Sequence, residues 1–481
     1  MSSAAEVSYS ELPGRTEYGL RLTVQLSSLA GLQILFSFFI QAYTVLRLGA
    51  GLQTDALAAA YTIPQVAMIL SSEVLSLVLV PVLAGRAESE LKKNGWELFV
   101  GLGALFAILT GIIYVAVPVL IPLLVPGFNA TGKQLAVTLA RIQLFSLLGS
   151  VLYVVLTSLY QVRARFVFPA AALLISHVVG AAILVWQLPR FGITLVAWIQ
   201  VLITAAPALL LLPVLGSIRH GSFSSSTVRQ VLRNMRPLCL GAAYFKTSIV
   251  PDRIMGSFLV PGSIISLDLA NRTCAAIERI LNQGIVTPIL PSLVTLRKSG
   301  DWAGFRRLYR YKLLEMFFTN SLIVVAIVLA YIAVVDTRVM GFVGHKLGRL
   351  GPEGVKTIAL VFLYLTGRVL FSGPNHTLAC VFYAAGDFTT PTKITAATYT
   401  VGLVAKVAGF FLFGLRGMAL AISFTIFINF TALLWRLHTR HVDEIDTSRA
   451  VPSPHGFSVI AHLARTAQKV ARASIEFVTG Y

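Results

Sequence analysis

The sequence predicts an all-α polytopic membrane protein with about twelve transmembrane helices in two six-helix lobes. Its 481 residues are 56% hydrophobic and only 12% charged, with a mean hydropathy of +0.79. Soluble domains carry about twice that share of charge. Apolar runs long enough to span a bilayer recur from end to end, and most ionisable residues fall in the short stretches between them.

A membrane helix needs about 20 apolar residues. Runs that meet this lie at 23–46, 56–84, 98–125, 135–161, 168–188 and 193–216. A second set follows at 237–259, 264–296, 313–335, 356–384, 392–412 and 417–437. Between the sets, SIRHGSFSSSTVRQVLRNMRP is polar and basic, a natural divide. The expected organisation is a cytoplasmic segment at 1–22, a lobe at 23–216, a linker at 217–236, a second lobe at 237–437 and a basic tail at 438–481. The first residues lack the pattern of a cleaved secretory signal. A weak echo links the halves: LVPVLAGR with Pro81 and ILPSLVTLR with Pro291 each lead into a basic loop. Parallel repeats of this kind place a substrate between the lobes. Aligning the two prolines puts Thr62 opposite Arg272 and Met68 opposite Glu278.

Net charge is +19. With both termini cytoplasmic, the inner loops take the larger share of Lys and Arg, among them Arg86, Lys92, Arg163, Arg233 and Arg306. The cluster from Arg338 to Lys356 is the outer loop that runs against the rule. Topology accounts for the positive charge, so nucleic acid is not an expected partner. In the tail, Ile460, Leu463, Ala467 and Val470 share one helical face and Arg465, Lys469 and Arg472 another. That pattern suits either a helix lying on anionic membrane lipids or a solvated tail. Cys239, Cys274 and Cys380 have no metal-ligand spacing. No P-loop, GxSxG elbow or HExxH helix occurs, so no catalytic residues, metal or cofactor are expected and the chain reads as a transporter, not an enzyme. Its energy source would be a coupling ion (sodium or a proton), the membrane potential or downhill substrate flux.

The stretch from Ile249 to Leu293 breaks the apolar pattern, with Asp252, Arg253, Asp268, Arg272, Glu278 and Arg279 inside spanning segments. A charge at the centre of a membrane helix costs about 2.5 to 3.5 kcal/mol on insertion scales, so such groups face a bundle interior or a wet cavity. From the rise per residue, Asp252 and Arg272 share a depth on the order of 10 to 12 Å, where they could pair beside Arg253. Lys246 and Glu278 share a deeper level of roughly 20 Å. Asp268 and Arg272 stand four apart, the spacing of a local ion pair. Cations outnumber acids, and the arginine fork suits phosphate oxygens. An anionic, phosphate-bearing substrate held by Arg272, Arg253 and Lys246 is one reading, with Asp252, Glu278 and Glu73 as cavity acids or ion-coupling groups. In the other, these charges pair only with one another and fasten two helices. Lys406 and Arg368 have no evident partner in the sequence and read as snorkelling or bland helix contacts. His376 reads as no ligand.

Several blocks resemble the MurJ/MviN family of lipid-linked oligosaccharide flippases. They are LGAGLQTDALAAAYTIPQ from Leu48, then Glu73 with VPVLAGR, VPGF from Val125, ARFVFPA from Ala164, DRIMGSFLVPGSIISLDLANR from Asp252, ILPSL from Ile289 and FYAAGDFTTPTKI from Phe382. The resemblance implies the V-shaped fold of the multidrug/oligosaccharidyl-lipid/polysaccharide exporter (MOP) superfamily, which includes the MATE transporters, and alternating access around a cationic cavity. The implied substrate is an undecaprenyl-pyrophosphate-linked saccharide, lipid II or an exopolysaccharide or O-antigen-type precursor. It would cross the bacterial inner membrane with cell-envelope synthesis proteins as partners. By position, Arg272 matches the arginine proposed to hold the pyrophosphate, and Asp252 an aspartate that some members use in a sodium site. The chain departs from the family at Ile34, Ile40 and Met68, where lipid II flippases tend to carry arginines, and at Ala275, often an acid. It also lacks the extra C-terminal pair of spans. A cation-coupled small-molecule exporter of the same superfamily, or a transport-inactive scaffold for lipid-linked precursors, are the alternatives.

Overall fold

Long leucine-, valine- and isoleucine-rich runs in a bilayer must satisfy their own backbone, and helices do so within one segment. In the computed structural model, which describes residues 15–69, 72, 74–84, 86, 88–216, 227–235, 248–282, 289–335 and 348–439, every regular element is helical. The first half contains α1 (Arg15–Leu48), α2 (Leu52–Met68), α3 (Val74–Leu83), α4 (Glu88–Leu124), α5 (Ala130–Gln143), α6 (Phe145–Val162) and α7 (Val167–Leu211). The second contains α8 (Ile249–Ser257), α9 (Ser263–Leu281), α10 (Ile289–Lys298), α11 (Trp302–Val335), α12 (Gly351–Tyr364), α13 (Thr366–Ala384) and α14 (Thr389–Thr439). Among the described residues, seven continuous helical stretches are long and apolar enough to cross a membrane.

Two of those stretches, containing α7 and α14, are hairpins. Each turns at one glycine in the left-handed region, Gly192 with φ 58° and Gly414 with φ 57°. Both follow a phenylalanine, and the halves fold back so closely that Gly180 meets Ile203 and Gly402 meets Thr425. Lipid supplies no hydrophobic drive between helices, so small residues at such crossings, like Gly409 on Gly417, let backbones touch. The expected span pairs 168–188 with 193–216 and 392–412 with 417–437 correspond to these two hairpins.

Two expected boundaries move by ten residues or more. α4 begins at Glu88 rather than near 98, and α11 at Trp302 rather than near 313. Hydropathy misses these polar first turns, but Leu91 in α4 and Phe305 and Tyr309 in α11 are buried. Amphipathic extensions therefore pack on the bundle beyond its apolar belt.

Among the described residues, each half shows two buried clusters. In the first half one gathers Ala59, Val117, Leu139 and Leu184, and the other Leu75, Leu98, Leu147 and Val155. In the second, Phe305, Val381 and Phe382 form one, and Leu267, Val361 and Met418 the other. Ile264 and Ile265, at the start of α9, pack into the first half's core. The outward faces stay apolar, with Phe318, Leu322, Val325 and Leu329 of α11 all exposed, as suits lipid rather than water.

The halves are latched where α8 turns into α9. Gly262 has φ 97°, and a Cβ there would lie 2.7 Å from the Ala50 carbonyl oxygen. A Cβ on Gly127 would strike the Ser257 carbonyl, and the Gly127 amide donates to Ser257 Oγ at 3.1 Å. Asp55 on α2, 1% exposed, accepts the amides of Gly262 at 2.6 Å and Ile265 at 2.7 Å.

Candidate functional site

Helical spacing sets Asp268 and Arg272 one turn apart on α9, and α8 brings Arg253 to the same carboxylate. Arg253 Nη2 lies 2.5 Å from Asp268 Oδ1, and Arg272 Nε donates to Oδ2 at 2.8 Å. The first half completes the cluster: Gln41 Nε2 donates to Asp268 Oδ2 at 3.1 Å, and Arg253 Nε to Thr62 Oγ1 at 3.1 Å. The guanidinium of Arg272 stands 5.9 Å from the centre of the Tyr61 ring, whose hydroxyl accepts from Gln200 at 3.0 Å. Two arginines on one aspartate leave a local positive charge.

The two arginines play different parts. Arg253 is 2% exposed and holds groups on both halves, whereas 41% of the Arg272 side chain is accessible. Arg272 and Asp268 line a cavity of about 80 Å³ with Gln41, Thr44, Tyr61, Gln143 and Gln200. The other wall of α9 faces an apolar crevice of about 250 Å³, lined by Leu269, Thr273, Phe38, Leu46, Leu350 and Phe362.

The local pairing of Asp268 with Arg272 is as the spacing predicts. Other expected contacts differ. Arg253 does not line the cavity; it is consumed by Asp268 and Thr62. Asp252 does not pair with Arg272; its Oδ1 lies 2.7 Å from Lys406 Nζ, with 13% and 11% of the two side chains exposed. Glu278 is gripped by Arg368, Nε at 2.7 Å and Nη2 at 2.9 Å, while Arg368 Nη1 donates to Asn271 at 2.9 Å. Lys406 and Arg368 thus have partners, which lie on other helices and so were invisible to a reading of local spacing. Arg279 is exposed. Lys246 and Glu73 lie outside the described residues.

Sequence reasoning also passed over Asp55. Two signals pointed to it: an acid inside the apolar LQTDALAAAY, and a helix, α9, whose N-cap is glycine with no side chain to satisfy its first amides.

A sodium ion at Asp252, implied by resemblance, does not fit these residues. The Lys406 ammonium is already against the carboxylate, so an added cation there would meet a like charge.

Two latched helical halves around a charged polar cavity give the fold seen in transporters of the MOP superfamily. The fold superposes on an inward-facing multidrug resistance MATE family transporter of that superfamily with a TM-score of 0.65, at 15% identity over 89% of this chain and 100% of that one. It superposes on lipid II flippase MurJ in an inward closed conformation with a TM-score of 0.71, at 17% identity over 95% of this chain and 99% of that one. The family model described as lipid II flippase MurJ matches residues 44–472, and the chain belongs to that family. A probable lipid II flippase MurJ from Buchnera aphidicola is 26% identical over 226 residues, 46% of this chain. That match spans 42% of the Buchnera protein, less than half its length.

Proposed function

We propose that the protein flips a polyprenyl-pyrophosphate-linked saccharide, lipid II or a related envelope-polysaccharide precursor, by alternating access of its two lobes. Both termini are then cytoplasmic, and the latch around Asp55 and Gly262 closes the outer end.

One observation carries this reading: α9 separates a polar cavity containing Arg272 from an apolar crevice lined by Leu269 and Thr273. An amphiphile with an anionic head and a hydrocarbon tail suits both walls at once; a water-soluble drug has no use for the crevice. Arg272 would take phosphate oxygens through its accessible guanidinium nitrogens, a contact strengthened by low dielectric. Gln41, Gln143, Gln200 and Tyr61 offer neutral hydrogen bonds to a sugar. Asp268 orients Arg272, and Arg253 holds Asp268.

The scaffold reading has one observation in its favour, since the first half lends the cavity glutamines and a tyrosine but no cation. Outer-leaflet accessibility of lipid-linked precursors, measured in cells depleted of the protein and complemented with wild type or Arg272→Ala, separates the two. A flippase loses outer exposure on depletion and does not regain it with Arg272→Ala. Undiminished exposure of every precursor after depletion rejects transport.

A further inference from the structure

Asp252 sits in the first turn of α8, and Lys406 on α14 two turns before the Gly414 bend. Their charged atoms lie 2.7 Å apart, yet no donor makes an aligned hydrogen bond to Asp252 Oδ1 among the described residues. The contact is a close ion pair that occupies this oxygen of the carboxylate. Lysine suits this role, because its ammonium is a compact point charge on a flexible stem.

Around the pair, no other described acid of the hairpin is left to balance an added cation. Asp268 is held by Arg253 and Arg272, and Glu278 by Arg368. A sodium ion placed beside Asp252 would join an ammonium in a poorly solvated site, with two positive charges on one carboxylate. Desolvation and like-charge repulsion both oppose that. The glycines bracketing Lys406 strengthen the point: Gly402 and Gly409 press α14 against its own returning half, so this face has little room to move the lysine aside.

We infer that Lys406 is a tethered counter-ion standing where a coupling sodium would bind Asp252, so this carboxylate takes no sodium during the conformational cycle. Any energy source for the cycle then acts without sodium at this site. The inference concerns the Asp252 site alone and holds whatever the cargo.

Thermal unfolding of the full-length purified protein tests it, in NaCl, KCl and choline chloride of equal ionic strength. The wild type should melt alike in all three and retain no sodium-22. Lys406→Ala uncovers the carboxylate: it should melt lower in KCl, recover several degrees in NaCl, and lose that recovery when Asp252→Asn is added. A sodium-specific rise in wild-type melting temperature, or sodium-22 retention that Asp252→Asn abolishes, overturns the inference. So does a folded Lys406→Ala protein that NaCl and KCl stabilise alike. If Lys406→Ala yields no folded protein, the wild-type melting and sodium-22 measurements decide it alone.

Discussion

Asp55 accepts the backbone amide of Gly262 at 2.6 Å, across the junction between the two halves of the molecule. Its other oxygen takes the amide of Ile265 at 2.7 Å. α9 begins at a glycine that cannot cap it, so a carboxylate from α2 satisfies two of its first free amides and meets the positive end of its dipole. The cap thereby doubles as the latch between lobes. Asp55→Ala leaves buried amides unpaired, at a cost of about 1 to 3 kcal/mol to this closed arrangement. We expect a cysteine placed at Ala50, which lies against Gly262, to react several-fold faster with an impermeant maleimide in the Asp55→Ala background. Gly262→Ala should act the same way, by collision with the Ala50 carbonyl and a disfavoured φ.

Arg253 is the member of the charged cluster whose loss should cost the most stability. It is buried between Thr62 and Asp268, so Arg253→Ala leaves one aspartate oxygen without its donor, the other still held by Arg272 and Gln41, and a vacant buried space. Removing one partner of a buried pair costs about 3 to 5 kcal/mol. We expect a clearly lowered melting temperature in detergent, and partial recovery when Asp268→Asn is combined with it. Arg253→Lys should fall between, since an ammonium cannot serve Thr62 and Asp268 with one rigid fork.

What was legible in the sequence follows from the range of the interactions. Asp268 with Arg272 obeys helical spacing, so one strand of text suffices to find it. Asp252 with Lys406 and Glu278 with Arg368 join helices far apart in the chain, and their register depends on packing that no local pattern encodes. The fold was legible for the same reason that its ends were not. Hydropathy marks where lipid is, whereas α4 and α11 extend past lipid on amphipathic turns. The hairpin bends left a trace in retrospect, as Phe191-Gly192 and Phe413-Gly414 occupy matching places in the two halves.

Asp387, in the FYAAGDFTTPTKI block, makes a structural cap at the start of α14. Its Oδ1 accepts the amides of Thr389 at 3.1 Å and Thr390 at 2.9 Å and the Thr389 hydroxyl at 3.0 Å. Partial burial pushes its carboxyl up, but these hydrogen bonds together outweigh burial and hold it below the ordinary 3.8. A carboxyl depressed in the folded state stabilises that state above its unfolded value, and the gain disappears as pH falls through the folded value. Asp387→Ala should therefore cost about 1 kcal/mol at neutral pH, the usual worth of a helix cap. We expect the gap between wild-type and variant melting temperatures to close in acid, beginning near the unfolded value and ending below the folded one. A gap that persists unchanged there would mean that the aspartate works through packing instead.

Arg272 should separate binding from stability, because it is the accessible arginine of the pair. Arg272→Ala leaves Asp268 still held by Arg253 and Gln41, so its melting temperature should fall much less than that of Arg253→Ala. Binding should fall far more. A charge-assisted hydrogen bond is worth about 1.5 to 3 kcal/mol, so losing a guanidinium that meets a phosphate should weaken affinity roughly 10- to 100-fold. Arg272→Lys keeps the charge but loses the planar fork, and should retain an intermediate affinity. Titrating the purified variants with a polyprenyl-pyrophosphate saccharide and with the same lipid lacking phosphate checks both points. The phosphate-free lipid should bind wild type and Arg272→Ala equally, since it can use only the apolar crevice and the neutral hydrogen bonds. An Arg272→Ala protein that binds the pyrophosphate form as tightly as wild type would move the anion site away from α9.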